Sequence, residues 1–370
     1  MMTAPGPGRA PDAGWRDALA LAASRGACVQ LCVIHRGRTM LDGAVGCAPD
    51  ALGWLFSASK PFTSLIVHRL AGSGVLRLDD PVARYWPAYG SGADGSKAAT
   101  TVREVLTHRS AAPTAGPYPA AVLAMHRLEA SVARVAAGRR RDRRYPGLSA
   151  YQPLDFGFIL AEVARRATGR TWPQLLQDLV LAPAGLRDVH PGVPDDQLHR
   201  CLPLDGSIRS LPGGPVVAAV VNRRSVRQAR IPAAGISTTA RQLALFYRYL
   251  LTAPERTALC TPSSEGGRDA WTRLPTRWGT GIQLGGTGAW CPLGATSTQE
   301  TFGHNGSDVC LGWADPNLDL AVGLVTDRAS GHPADKRLLV RVSDVLRAVA
   351  ADEGGPAGPP APIPRRGTIG

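Results

Sequence analysis

Residues 54–63 read WLFSASKPFT. A serine, two small residues, a lysine and a proline interrupt an apolar run. The lysine stands out, because only Lys60, Lys97 and Lys336 break a pattern in which 39 of the 42 basic residues are arginine. Arginine cannot shed its proton near neutral pH, whereas a buried lysine can, and it then acts as a base. Ser57 and Lys60 lie three residues apart, so on a helix they share one face. Pro61 is tolerated only in a first helical turn, so the sequence predicts a helix opening at Ser57 and running to about Gly72. A hydroxyl at the positive end of that helix, one turn from an amine, suits a nucleophile that needs a proton acceptor and donors for an oxyanion.

The rest of the chain supplies the frame. At 370 residues it exceeds a usual single core, and two packed lobes are expected. Residues 12–25 carry a helical pattern. The stretch 26–40 reads as a strand turning near Arg36-Gly37. From about 75 to 230 the text is helical and rich in loops. A helix is expected over 237–252 with Ser237 as its cap, strands follow after about 275, and 333–351 reads as a closing helix. The fold class is therefore α/β: a lobe built from both termini, 12–74 and 235–351, with an inserted helical lobe over 75–234. Flexible tails are expected at 1–11 and 352–370, the latter rich in proline and glycine. A cleft between the lobes is the natural site.

Composition excludes several classes. No apolar run reaches the length of a membrane span, and the polar N-terminus lacks the layout of an export signal, so a cytoplasmic location is expected. Seven scattered cysteines without a C-x-x-C pair argue against a disulfide framework or a zinc knuckle. No metal-ligand spacing appears, and neither a metal nor another cofactor is expected. The formal charge of +13 invites a nucleic-acid reading, but no nucleic-acid signature accompanies it. Its densest run, GRRRDRRYPG at 138–147, reads as a solvated loop or as a docking patch for an anionic carrier or a CoA-linked donor.

Four segments in order resemble the serine β-lactamase and penicillin-binding-protein superfamily, and in particular its class C β-lactamase-like esterase branch. They are FSASKPFTSLIVHRLAGSGVLRLDDPVARYWPAY at 56–89, TVREVLTHRSAAP at 101–113, PGLSAYQPLDFGFILAEVARRATGR at 146–170 and TFGHNGSDVCLGWADP at 301–316. The resemblance implies an antiparallel sheet flanked by helices, an inserted helical domain and an acyl-enzyme on Ser57. It assigns Lys60 to take or relay the serine proton, and Tyr151 to pass it to the leaving group and to activate the next nucleophile. It assigns the backbone N–H groups of Ser57 and Ser307 to an oxyanion hole. His304, Asn305, Gly306 and Asp308 are placed along the substrate.

Three departures from the family pattern shape the expected chemistry. Ser110-Ala111 replaces its Ser-Gly. Pro153 stands where its asparagine would offer an amide. H-x-G replaces K-T-G, so His304 is expected to grip a carboxylate only weakly and with pH dependence. The last two changes favour esters, small amides or acyl transfer over antibiotics. The expected activity is an esterase or amidase on a small acyl donor. The alternatives are an acyltransferase to an amine or alcohol in natural-product tailoring, or a catalytically silent binding module. Tyr145 is the rival of Tyr151. His108 and Cys310 read as structural side chains. Trp86, Tyr89 and Trp313 fit either the pocket or the core.

Overall fold

The computed structural model describes residues 13–91, 95–110, 118–139, 148–206, 214–329 and 332–353. Most of the basic run (140–147), Tyr145 and the segments 1–12 and 354–370 lie outside these residues.

Helix α1 (Ala13–Ala23) precedes a hairpin of β1 (Val29–His35) and β2 (Arg38–Val45). Arg36 and Gly37 take positive φ at its tip. The short strand β3 (Gly53–Trp54) leads to a 3₁₀ turn, Phe56–Ser59, and then to α2 (Lys60–Gly72). The helical region includes α3 (Leu128–Ala137) and α4 (Asp155–Thr168), followed by a short strand β4 (Val189–His190). Strand β5 (Ser237–Thr238) precedes α5 (Ala240–Thr252). Strands β6 (Arg277–Trp278), β7 (Gln283–Leu284), β8 (Phe302–Gly306), β9 (Cys310–Asp315) and β10 (Leu320–Thr326) then build the sheet, and α6 (Pro333–Asp352) closes it.

The sheet has the order β2-β1-β10-β9-β8-β7-β6, and every pairing in it is antiparallel. A second small sheet, β3-β5-β4, ties the start of the chain to the helical region. Strand β1 is buried along its whole length because both faces are covered. Val29, Leu31 and Val33 share one apolar layer with Trp15 of α1 and Leu339, Val342 and Leu346 of α6. Cys32 and Ile34 face the other layer, with Leu243 and Phe246 of α5 and Phe62 of α2. Phe62 and Phe246 stack with centroids 3.8 Å apart, so α2 is clamped onto the sheet's helix.

Two local expectations are corrected. Ser57 does not open an α-helix: it lies in the 3₁₀ turn, and the helix begins at Lys60. Ser237 is not the cap of α5, because it is paired in β5. The Thr239 side chain caps instead, accepting from Gln242 N–H. The closing helix expected over 333–351 is present as α6, which ends at Asp352, and Glu353 accepts a 2.8 Å hydrogen bond from the Trp15 indole.

Candidate active site

Phe56 holds a positive φ of 44° just before Ser57. For a bulky residue this is a strained conformation, and it persists only because its surroundings over-determine it. Strand β8 presses on the same point. A Cβ at Gly306 would run into the Leu55 carbonyl oxygen and the Cys310 sulfur, which explains why the H-x-G segment ends in glycine. The nucleophile turn is thus held against the sheet edge.

Lys60, the first residue of α2, is wholly buried. Its Nζ lies 3.2 Å from Ser57 Oγ and donates to Pro153 O at 2.8 Å and Ala233 O at 3.3 Å. Pro153 offers no side-chain amide, but its carbonyl is used here. Among the described residues no carboxylate pairs with Lys60, and burial pushes its ammonium well below the ordinary lysine value. The Ala233 carbonyl is kept close by packing, because a Cβ at Gly157 of α4 would strike Ala233 N.

Tyr151 Oη lies 2.5 Å from Ser57 Oγ, and Lys60 Nζ sits 4.8 Å from the centre of the phenol ring. Ser57, Lys60 and Tyr151 therefore converge on one hydroxyl. Burial pushes the Tyr151 phenol up, and the Ser57 contact offsets this only in part. The chain around it is sewn from two sides. Ala150 N–H donates to His108 O, and Gln152 N–H donates to His108 Nδ1. Ala270 N–H donates to Ser149 O, and Tyr151 N–H donates to Asp269 Oδ2 at 3.1 Å.

Asp269 escaped the sequence reading. It is fully buried and accepts from the N–H groups of Tyr151, Trp271 and Thr272 and from the Trp278 indole. Trp278 in turn stacks on Tyr151, with centroids 5.3 Å apart and planes 6° from parallel. His108 meets the same ring edge-on at 4.8 Å. No motif flags Asp269. Its only sequence signal is an acidic residue in a stretch otherwise suited to turns, RDAWT at 268–272.

His304 lies in β8 with its ring 6.2 Å from Tyr151 and 5.9 Å from Trp278. Its Nδ1 is 2.9 Å from Asn305 O, and its Nε2 is buried with no partner among the described residues. Burial, aided by Lys60, pushes its pKa down to about 3. Such a shift disfavours the cationic form on which a grip on a carboxylate would depend. Asn305 and Asp308 are engaged with each other. Asn305 Nδ2 donates to Asp308 Oδ1 at 2.7 Å, and Asp308 N–H donates back to Asn305 Oδ1 at 3.0 Å. These bonds close the three-residue loop between β8 and β9, in which Ser307 and Asp308 take φ of 53° and 56° and Val309 N–H reaches Gly306 O. Ser307 is exposed at its tip.

Other candidates resolve as packing. Cys310 Sγ donates to Leu55 O, and burial pushes its thiol up, away from nucleophilic duty. Trp313 is buried under the Arg347 guanidinium. Trp86 and Tyr89 are core residues. Lys97 caps the end of α3, donating to Val135 O and Ala136 O. Among the described residues no cluster could hold a metal, and no helix is long and apolar enough to cross a membrane.

The comparisons with known proteins agree with this arrangement. A family model described as Beta-lactamase matches residues 18–347. The chain is 29% identical over 327 residues to "Esterase/beta-lactamase LipL" of Mycobacterium tuberculosis, covering 80% of this chain and 73% of that one. The fold superposes on EstA from Arthrobacter nitroguajacolicus with a TM-score of 0.75 at 24% identity, over 93% of this chain and 98% of that one. It also superposes on EstCE1, described as a hydrolase with promiscuous acyltransferase activity, with a TM-score of 0.72 at 20% identity, over 90% and 99%. Taken with a serine hydroxyl shared by a buried amine and a phenol, the family match places the chain in the beta-lactamase family, as a serine hydrolase or acyltransferase.

Proposed function

We propose that the protein is a cytoplasmic esterase or amidase acting on a small, uncharged acyl donor through an acyl-enzyme on Ser57. One observation carries this reading: Ser57 Oγ lies between Lys60 Nζ at 3.2 Å and Tyr151 Oη at 2.5 Å. Burial disfavours the ammonium of Lys60 and the phenolate of Tyr151, which suits a neutral lysine and a neutral tyrosine as the resting pair. A neutral amine has two N–H bonds for the Pro153 and Ala233 carbonyls and a lone pair for the Ser57 hydroxyl.

In the first step Ser57 Oγ bonds to the acyl carbon while its proton passes to Lys60. The backbone N–H groups of Ser57 and Ser307 are the proposed donors to the oxyanion. The C–O or C–N bond of the donor then breaks. The leaving group takes a proton from Tyr151, which is re-protonated by Lys60. Water returns through the same relay in reverse and releases the acid.

The neutral His304 and the missing amide at Pro153 favour donors without a carboxylate beside the scissile bond. Seven free thiols suit a reducing compartment. Transfer to an alcohol or amine is a second reading, supported by the wall of rings formed by Trp278, His108 and His304 around Tyr151, which disfavours water. The test is intact mass after exposure to a fluorophosphonate and to a panel of acyl esters. An adduct on the peptide bearing residue 57, absent in Ser57→Ala, is expected. A wild-type protein that forms none, with no ester turnover, refutes the reading.

A further inference from the structure

Eight large hydrophobic residues are exposed among the described residues; two of them, Tyr118 and Trp271, are in ring contact, and a third, Leu148, lies on the segment that leads into Tyr151. Trp271 is 46% exposed, Leu148 50% and Tyr118 37%. Their placement follows from bonds already described. Trp271 N–H and Tyr151 N–H both donate to the Asp269 carboxylate, at 2.9 and 3.1 Å. Leu148 is three residues before Tyr151, and its neighbour Ser149 accepts from Ala270 N–H. The Tyr118 ring meets the Trp271 ring edge-on, with centroids 5.4 Å apart and planes at 71°. Tyr118 is also near enough to act electrostatically on the Tyr151 phenol. Exposed apolar side chains scattered singly need no explanation, but a pair of exposed rings anchored to the same carboxylate as the catalytic tyrosine's backbone does.

Tyr151 delivers the proton to the departing oxygen and receives it from the incoming one, so whatever leaves or enters must pass beside it. We infer that Trp271, with Tyr118 and Leu148, forms the subsite for the alcohol half of the substrate, and that this half is an aromatic or extended apolar alcohol. Specificity on this side is then set by the leaving or accepting alcohol, independently of the acyl chain. The inference rests on the acyl-enzyme reading above.

The test uses the full chain and two ester series. One varies the alcohol at fixed acyl group: ethyl, hexyl and benzyl acetate. The other varies the acyl group at fixed ethanol: ethyl acetate, hexanoate and phenylacetate. In Trp271→Ala, kcat/KM for benzyl acetate is expected to fall about tenfold more than for ethyl acetate, the scale of one aromatic contact. The variant-to-wild-type ratio stays flat across the acyl series. Trp271→Phe restores most of the benzyl preference, a rescue that a purely structural role would not show. Equal losses for all alcohols, or losses that track the acyl chain, overturn the inference. Saturation-transfer NMR with benzyl alcohol reads the subsite without turnover: signal in wild type and in Ser57→Ala, lost in Trp271→Ala, is expected. No signal in wild type overturns the subsite. Absence of turnover alongside an intact NMR signal refutes only the acyl-enzyme reading.

Discussion

Replacing Asp269 by asparagine separates positioning from chemistry. The carboxylate accepts four N–H groups: Oδ1 takes Trp271 and Thr272 at 2.9 Å each, and Oδ2 takes the Tyr151 amide at 3.1 Å and the Trp278 indole at 3.3 Å. Asparagine keeps one oxygen, which the two closer amides claim. Its NH₂ then faces the Tyr151 amide and the indole, donor against donor. Each buried donor left unsatisfied costs about 1–3 kcal/mol, so the variant should lose on the order of 2–4 kcal/mol and still fold. The catalytic effect comes through Tyr151, whose ring rests on Trp278 and whose hydroxyl must stay 2.5 Å from Ser57. A displacement near 1 Å costs roughly a hundredfold in rate, so kcat should drop about 10–100-fold with little change in KM. Steady-state hydrolysis of p-nitrophenyl acetate and thermal melting read both. A variant with wild-type kcat would refute the reasoning. Asp269→Ala should go further and fail to fold, because all four donors lose their acceptor.

Other expectations follow from single contacts. Tyr151→Phe removes the proton relay and should lower kcat about 10²–10⁴-fold, read as slowed release of p-nitrophenolate, with the melting temperature nearly unchanged. In Gly306→Ala the new methyl meets the Leu55 carbonyl and the Cys310 sulfur. It should destabilise by about 1–3 kcal/mol in urea titrations and cut kcat more than tenfold by pushing the Ser57 turn. His304 is held neutral, with a pKa of about 3 against 6.5 when unfolded, so the unfolded chain binds the extra proton between these values. The contribution of this residue to stability should therefore be flat above about pH 6.5 and fall as pH drops towards 3, by up to about 5 kcal/mol. His304→Gln should flatten that slope in urea midpoints measured at pH 4 and 7, and an unchanged slope would show that the ring is already charged.

How much of this was legible in the sequence follows from how far each signal reaches along the chain. Ser57 and Lys60 sit three residues apart, and the scarcity of lysine marked the pair. The alternation of β1 and the period of α6 are likewise local, so their placement was predictable. Tyr151 needed the resemblance of a whole segment, since nothing nearby distinguishes it from other tyrosines. The Pro153 and Ala233 carbonyls that hold Lys60 are main-chain groups, 93 and 173 residues away, and carry no residue code at all. Asp269 is 118 residues from the amide it holds. The 3₁₀ turn at Ser57 escaped because a packed sheet edge, not propensity, sets it. Thr239 displaced Ser237 as a cap because Ser237 was needed in a strand pair.

The central claim is that a neutral lysine draws the proton from Ser57. Lys60→Met tests it most directly, by rapid-mixing mass spectrometry of acylation. The side chains are similar in length, and Met relieves the cost of burying an amine, so the variant should fold and melt at or above the wild-type temperature. Acylation at Ser57 should slow by at least about a thousandfold and lose its rise with pH. Acylation at the wild-type rate with the same pH profile would contradict the account.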